Sequence, residues 1–137
     1  MFISKLLFPL FSSLIVLSLG FTTVENSCTK IPGWLIGTWQ GVGYQIDGQT
    51  WDVILQYDEK KGLLVDYPTL GCNGSWEVTT SKKNRLDIIE TIITGDDVCD
   101  QSVRVVLQKI NDTDLSVTYY LPSFRKGPVA YTVLEKK

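Results

Sequence analysis

The chain contains no histidine. That absence removes Ser-His and Cys-His nucleophile pairs, imidazole metal ligands and the side chain that most often serves as a general base near neutral pH. An enzyme so equipped would have to run on paired carboxylates, and no convincing pair stands out, so a non-catalytic protein without a cofactor is expected. Basic residues are also short: 13 Lys and Arg against 15 Asp and Glu give a formal charge of −2, the wrong sign for a nucleic-acid binder. There is no Cys-x-x-Cys, and no cation adjoins Cys72 or Cys99 to activate a thiol. No segment shows a helical period, no internal repeat is visible, and no tract is of low complexity. Asp96, Asp97 and Asp100 gather in "GDDVCD", but their spacing matches no calcium-loop pattern, and no metal is expected.

What is present begins with an address. Lys5 precedes the apolar run "LLFPLFSSLIVLSLG", and Ser18-x-Gly20 puts small residues where a signal peptidase reads. The run is short for a membrane span and is followed by polar "TTVENS". Residues 1–20 are therefore read as a signal peptide, 21–33 as an N-terminal segment and 34–137 as one domain of a secreted or periplasmic protein. Cys28 stands near that boundary, where a bacterial lipoprotein carries its modified cysteine. Glu25, however, occupies the place of an aliphatic lipobox residue, so a free or intermolecularly paired thiol is expected, with membrane association only if Cys28 is lipidated.

From Trp34 onward apolar residues return at every second position, the period of half-buried strands. In "WDVILQY", Trp51, Val53, Leu55 and Tyr57 share one face, Asp52 and Gln56 the other. Eight such segments are predicted, at approximately 35–46, 49–58, 62–67, 75–81, 85–94, 102–110, 114–121 and 129–135. Turn chemistry stands between them: Asp47-Gly48, "DEKKG", "SKKN", "NDTD" and "PSFRKGP". Short connections force antiparallel neighbours, and eight such strands close most economically into an up-and-down barrel, which removes both sheet edges. A β-sandwich is the alternative.

The first segment, "LIGTWQGVGYQI", carries Gly37-Thr38-Trp39 and resembles the Gly-x-Trp opening of lipocalin and avidin-type (calycin-type) barrels. The resemblance implies a small secreted β-barrel with Trp39 plugging its floor. The polar residues by which avidins hold biotin are not reproduced in "TWQGVGYQI", so biotin is not implied. Together with "YPTLGCNGSW" and "GDDVC", the pattern is also similar to uncharacterised secreted bacterial domains.

If the strands alternate, the turns at Asp47-Gly48, 68–74, 95–101 and 122–128 share one end. Cys72 and Cys99 then face each other there as a disulfide, closing a loop of 26 residues. Pro68 ends the third strand, and Gly71 and Gly74 are expected to supply turn geometries. Cys28 falls at the opposite end, where Lys60, Lys61, Lys82, Lys83, Arg85, Lys136 and Lys137 also cluster.

In "RLDIIETI", Leu86, Ile88 and Ile92 are inward by parity, and Glu90 goes in with them. It either lies in a ligand cavity, its pKa raised by desolvation, or accepts hydrogen bonds from buried aromatic donors, for which Trp39, Trp76, Tyr119 and Tyr131 are candidates. A bulge turning it outward is a third option. Gly41 and Gly43 leave room beside the first strand, while Trp51, Tyr57, Tyr67, Trp76, Tyr119 and Tyr131 consume it. The leading expectation is a binding module that takes a small hydrophobic or amphipathic ligand at the stapled rim, with Glu90, Trp39, Tyr67, Trp76, Tyr119 and Tyr131 as candidate ligand-binding residues. The alternative is a filled barrel that meets a protein partner, as an inhibitor or adhesion module, through rim loops carrying exposed Phe124 and Arg125.

Overall fold

The computed structural model describes residues 30–137. The expected signal peptide, Cys28 and most of the 21–33 segment lie outside the described residues. Eight strands form where the two-residue period predicts them: β1 (Thr38–Gln45), β2 (Thr50–Asp58), β3 (Gly62–Tyr67), β4 (Cys72–Lys82), β5 (Arg85–Thr94), β6 (Val103–Lys109), β7 (Asp114–Tyr120) and β8 (Ala130–Lys136). Each pairs antiparallel with the next, and β8 pairs with β1, so the sheet is a closed up-and-down barrel and the sandwich alternative falls. Alternation sorts the faces. Val53 and Leu55 of β2 are buried while Asp52 and Gln56 are exposed, and Leu86, Ile88, Glu90 and Ile92 of β5 all point inward.

The Gly-x-Trp opening builds the floor. Residues Gly33–Leu35 make one turn of 3-10 helix whose Leu35 is fully buried, and Trp39 Nε1 donates to the Leu35 carbonyl at 2.9 Å. Trp34 Nε1 donates to the Lys83 carbonyl at 3.2 Å, tying this plug to the β4–β5 turn. Gly37 takes φ +127°, which a side chain would resist, and its carbonyl accepts from the Tyr57 amide at 3.1 Å.

The stretch "YPTLGCNGSW" departs from its sequence reading. Only residues 68–71 form the turn, with the Leu70 amide donating to the Tyr67 carbonyl at 3.0 Å and Gly71 at φ +70°. β4 begins at Cys72, three residues earlier than predicted, so Cys72 is a buried strand residue rather than a loop residue. Gly74 is therefore no turn glycine. A Cβ there would stand 2.3 Å from the Thr91 carbonyl oxygen, so β5 comes close enough to exclude any side chain. The β4–β5 register slips twice, between Asn73 and Gly74 and between Val78 and Thr80, and neither irregularity turns Glu90 outward.

Tyr131 is a second correction. β8 buries Ala130, Thr132 and Leu134 and turns Tyr131, 59% exposed, to the outside, where its ring stacks on Tyr44 at 5.7 Å. Thr132 can take the inward place because its hydroxyl donates to the Val42 carbonyl at 2.7 Å, which removes the cost of burying it.

Candidate functional site

Strand alternation gathers four connections at the end opposite the floor: residues 46–49, 68–71, 95–102 and 121–129. The disulfide is built across two of them. Cys72 and Cys99 are bonded, with their Cα atoms 6.4 Å apart. Gly95, at φ +82°, lets the loops meet, since a Cβ there would lie 2.7 Å from the Gly71 carbonyl oxygen and 3.1 Å from Cys72 Sγ. The Gln101 side chain holds the same loop by replacing a strand partner. Its oxygen accepts from the Ile92 amide at 2.9 Å and its nitrogen donates to the Ile92 carbonyl at 2.8 Å.

Inside this rim lies a cavity of about 260 Å³. Trp51, Tyr67, Tyr119, Leu121 and Val103 give it an aromatic and aliphatic wall, Glu90 stands in it, and Asp100 joins Cys99 on the loop side. Gly43 faces the interior but leaves no space, because a Cβ there would fall 2.5 Å from the Trp51 indole: the indole fills the room the glycine leaves.

Glu90 is 4% exposed and is held by donors from two other strands. The Tyr67 hydroxyl, at the end of β3, donates to Glu90 Oε2, and Trp76 Nε1, directly opposite on β4, donates to the same oxygen at 2.6 Å. Oε1 has no protein partner among the described residues and is open to the cavity. Burial pushes the Glu90 carboxyl above the usual carboxylate value. The two hydrogen bonds oppose that rise and the Asp100 charge adds to it. Tyr67 is raised well above the phenol value, first by burial and then by its neighbours Tyr119 and Glu90. Burial, then the Glu90 charge, also raises Tyr119, which keeps both phenols neutral donors.

Tyr119 sits edge-on between two indoles, with ring centres 6.3 Å from Trp51 and 6.4 Å from Trp76. Its hydroxyl is buried within reach of that of Tyr67 but makes no well-aligned hydrogen bond among the described residues. Native interiors rarely leave such a group unpaired.

Of the residues expected at the site, Glu90, Tyr67, Trp76 and Tyr119 come together. Trp39 does not, because it caps the floor with its N–H already given to Leu35. Tyr131 is outside the barrel. Phe124, expected to be exposed, is half-buried and packs against the core, whereas Arg125 is exposed. Trp51, Gln45, Gln49 and Asp100 line the cavity without having been named for it. Parity already put Trp51 inward, and the position of Asp100 beside Cys99 was the available signal for the last. Among the described residues no group of three or more Cys, Asp or Glu is placed to hold a metal ion.

No family model and no curated protein matches this chain. Solved structures do. A redesigned β-barrel is 19% identical with a TM-score of 0.58, over 76% of this chain and 92% of that one. The redesigned barrel mFAP1, bound to DFHBI, is 15% identical with a TM-score of 0.55, over 75% of this chain and 95% of that one. EF1p2_mFAP2b, also bound to DFHBI, is 15% identical with a TM-score of 0.53, over 76% and 94%. The likeness is one of fold, and the closed eight-stranded barrel fits a calycin-like architecture.

Proposed function

We propose that the protein is an exported, non-catalytic binding barrel that receives a small hydrophobic or amphipathic molecule in the cavity at its stapled rim. The observation that carries this reading is the cavity itself: an amphipathic lining, with aromatic and aliphatic walls, Gln45 and Gln49 at its side, and one buried carboxyl whose second oxygen is left open to it. Its volume lies just under the roughly 300 to 1,000 Å³ of sites that take drug-sized ligands, which fits a smaller guest. Two structural neighbours are barrels bound to DFHBI, so the shared architecture has room for a guest at all. Export rests on Lys5, the apolar run and Ser18-x-Gly20, and a disulfide is at home in an oxidising compartment. The alternative, action through the rim loops on a protein partner, is less supported. Phe124 is packed inward, leaving Arg125 and the 63% exposed Val98 as its anchors. Native mass spectrometry of the protein purified from its own host tests the choice. A small molecule that stays bound under gentle desolvation and leaves on denaturation is the expected result, and a bare chain that instead co-elutes with another protein would reverse the order of the two readings.

A further inference from the structure

The lining of the cavity is selective in sign. Among the described residues that line it, Glu90 and Asp100 are acidic and none is Lys or Arg. The loops of the same rim add Asp47, Asp96 and Asp97, while its basic residues, Arg125 and Lys126, stand on the β7–β8 loop outside the lining. The Lys-rich end of the barrel is the opposite one, at the β2–β3 and β4–β5 turns.

One polar atom in the cavity wants a partner. Glu90 Oε1 is unbonded beside its fully engaged Oε2 and is an acceptor open to a space bounded by aromatic rings, whereas the Tyr119 hydroxyl is buried in the wall without open surface. A wholly apolar guest would leave the Glu90 oxygen desolvated and unpaired. A carboxylate or phosphate would be placed against Glu90 and Asp100 with no cation to answer it, and like charges at close range in a desolvated site repel. An ammonium group answers the carboxyl. It donates to Oε1, neutralises the carboxylate and lies among Trp51, Tyr67 and Tyr119, whose ring faces attract cations.

On the basis of the cavity reading above, we propose that the guest is a small amphipathic cation, a primary alkyl or arylalkyl amine, bound with its ammonium on Glu90 Oε1 and its apolar part toward Leu121 and the mouth. Asp100 contributes at longer range by drawing the cation in. The buried carboxyl, pushed toward its neutral form by desolvation, is returned to the anion by the charge of the guest, so the ion pair forms only when the cavity is filled.

The test uses the oxidised, signal-free protein and two matched series: phenethylamine, phenylethanol and phenylpropionate, and hexylamine, hexanol and hexanoate, titrated by isothermal calorimetry at low salt. Each amine is expected to bind about ten-fold or more tightly than its alcohol, with the carboxylate weakest. Glu90→Gln should bring the affinity of each amine down to that of its alcohol, with near-ultraviolet circular dichroism confirming the fold. Asp100→Asn, on the exposed loop and independent of core folding, should weaken the amines by about three-fold through the lost Coulomb attraction. Alcohols or carboxylates that bind as well as the amines overturn the cation assignment and leave the cavity reading standing. An amine affinity indifferent to both substitutions does the same, and failure of all six molecules to bind overturns the cavity reading as well.

Discussion

Tyr67 and Glu90 are bonded across an intervening strand: the hydroxyl at the end of β3 donates to Oε2 of a carboxyl on β5, above the β4 strand that supplies the Trp76 donor to the same oxygen. Three consecutive strands are thereby tied on their inner face by side chains as well as by their ladders. The arrangement satisfies one half of a buried carboxyl and leaves the other half facing the cavity, so a single residue serves both the barrel and the site. The two sequence readings of Glu90, as acceptor for aromatic donors and as cavity carboxyl, describe its two oxygens.

The raised pKa of Glu90 has a definite consequence for stability. Its value in the unfolded chain is near 4.5 and its folded value lies above that. The unfolded state therefore ionises first as pH rises, and the stability present below about 4.5 is lost as pH climbs through the folded value. Asp87 works in the other direction. Burial is the largest single influence and raises it, but its ion pairs with Arg85 at 3.3 Å and Arg104 at 3.1 Å together prevail and hold it below 3.8, so its contribution is present above 3.8 and is lost as pH falls through its lowered value. Urea midpoints taken from about pH 2 to pH 8 separate the two windows. The stability of Glu90→Gln relative to the parent should improve steadily across the upper window and stay level in the lower one, because every other carboxylate cancels in the difference. A difference that does not change with pH would contradict the buried placement of Glu90.

The disulfide is expected to matter through the unfolded chain. Cys72 and Cys99 are 27 positions apart, and closing a loop of that size stabilises by about 3 to 4 kcal/mol on loop-entropy grounds. The paired substitution Cys72→Ser with Cys99→Ser should lower the urea midpoint by a corresponding amount and release the 95–102 loop, because the Gly95 approach and the Gln101 bonds would lose their clamp. Non-reducing peptide mapping of the parent should recover the two cysteines in one linked pair. A link from Cys28 to either of them would be incompatible with the barrel described.

Most of the barrel was legible because period two is unambiguous where one face is charged: Asp52 and Gln56 can only look outward, which sends Val53 and Leu55 inward. β8 lacks that contrast. In "AYTVLEK" both faces carry apolar residues, and parity fixes which residues share a face without saying which face is in. The aromatic was the natural choice for the core, but the barrel places the smaller Ala130 and Thr132 inward near the crowded rim and lets Tyr131 cover Tyr44 outside. Phe124 failed for a related reason: a loop of Pro, Gly and charge reads as exposed, and nothing local shows that its one aromatic folds back over the core. The site was half legible. Glu90 announced itself as a carboxyl among isoleucines, but its partner Tyr67 is 23 residues away and is brought there only by the pairing of β3, β4 and β5.

Tyr119 supplies the clearest separation of folding from binding. Its hydroxyl is buried beside that of Tyr67 without a well-aligned hydrogen bond among the described residues, so it is a desolvated group with little in return. Tyr119→Phe keeps the ring that packs between Trp51 and Trp76 and removes only that oxygen. The variant should therefore be as stable as the parent or more so, by up to about 1 kcal/mol in a urea melt. Because the hydroxyl has no open surface in the cavity, the same change should leave phenethylamine affinity within about two-fold of the parent, whereas Glu90→Gln weakens it. A variant that loses stability instead would mean that the hydroxyl is held within the folded chain by its neighbour Tyr67.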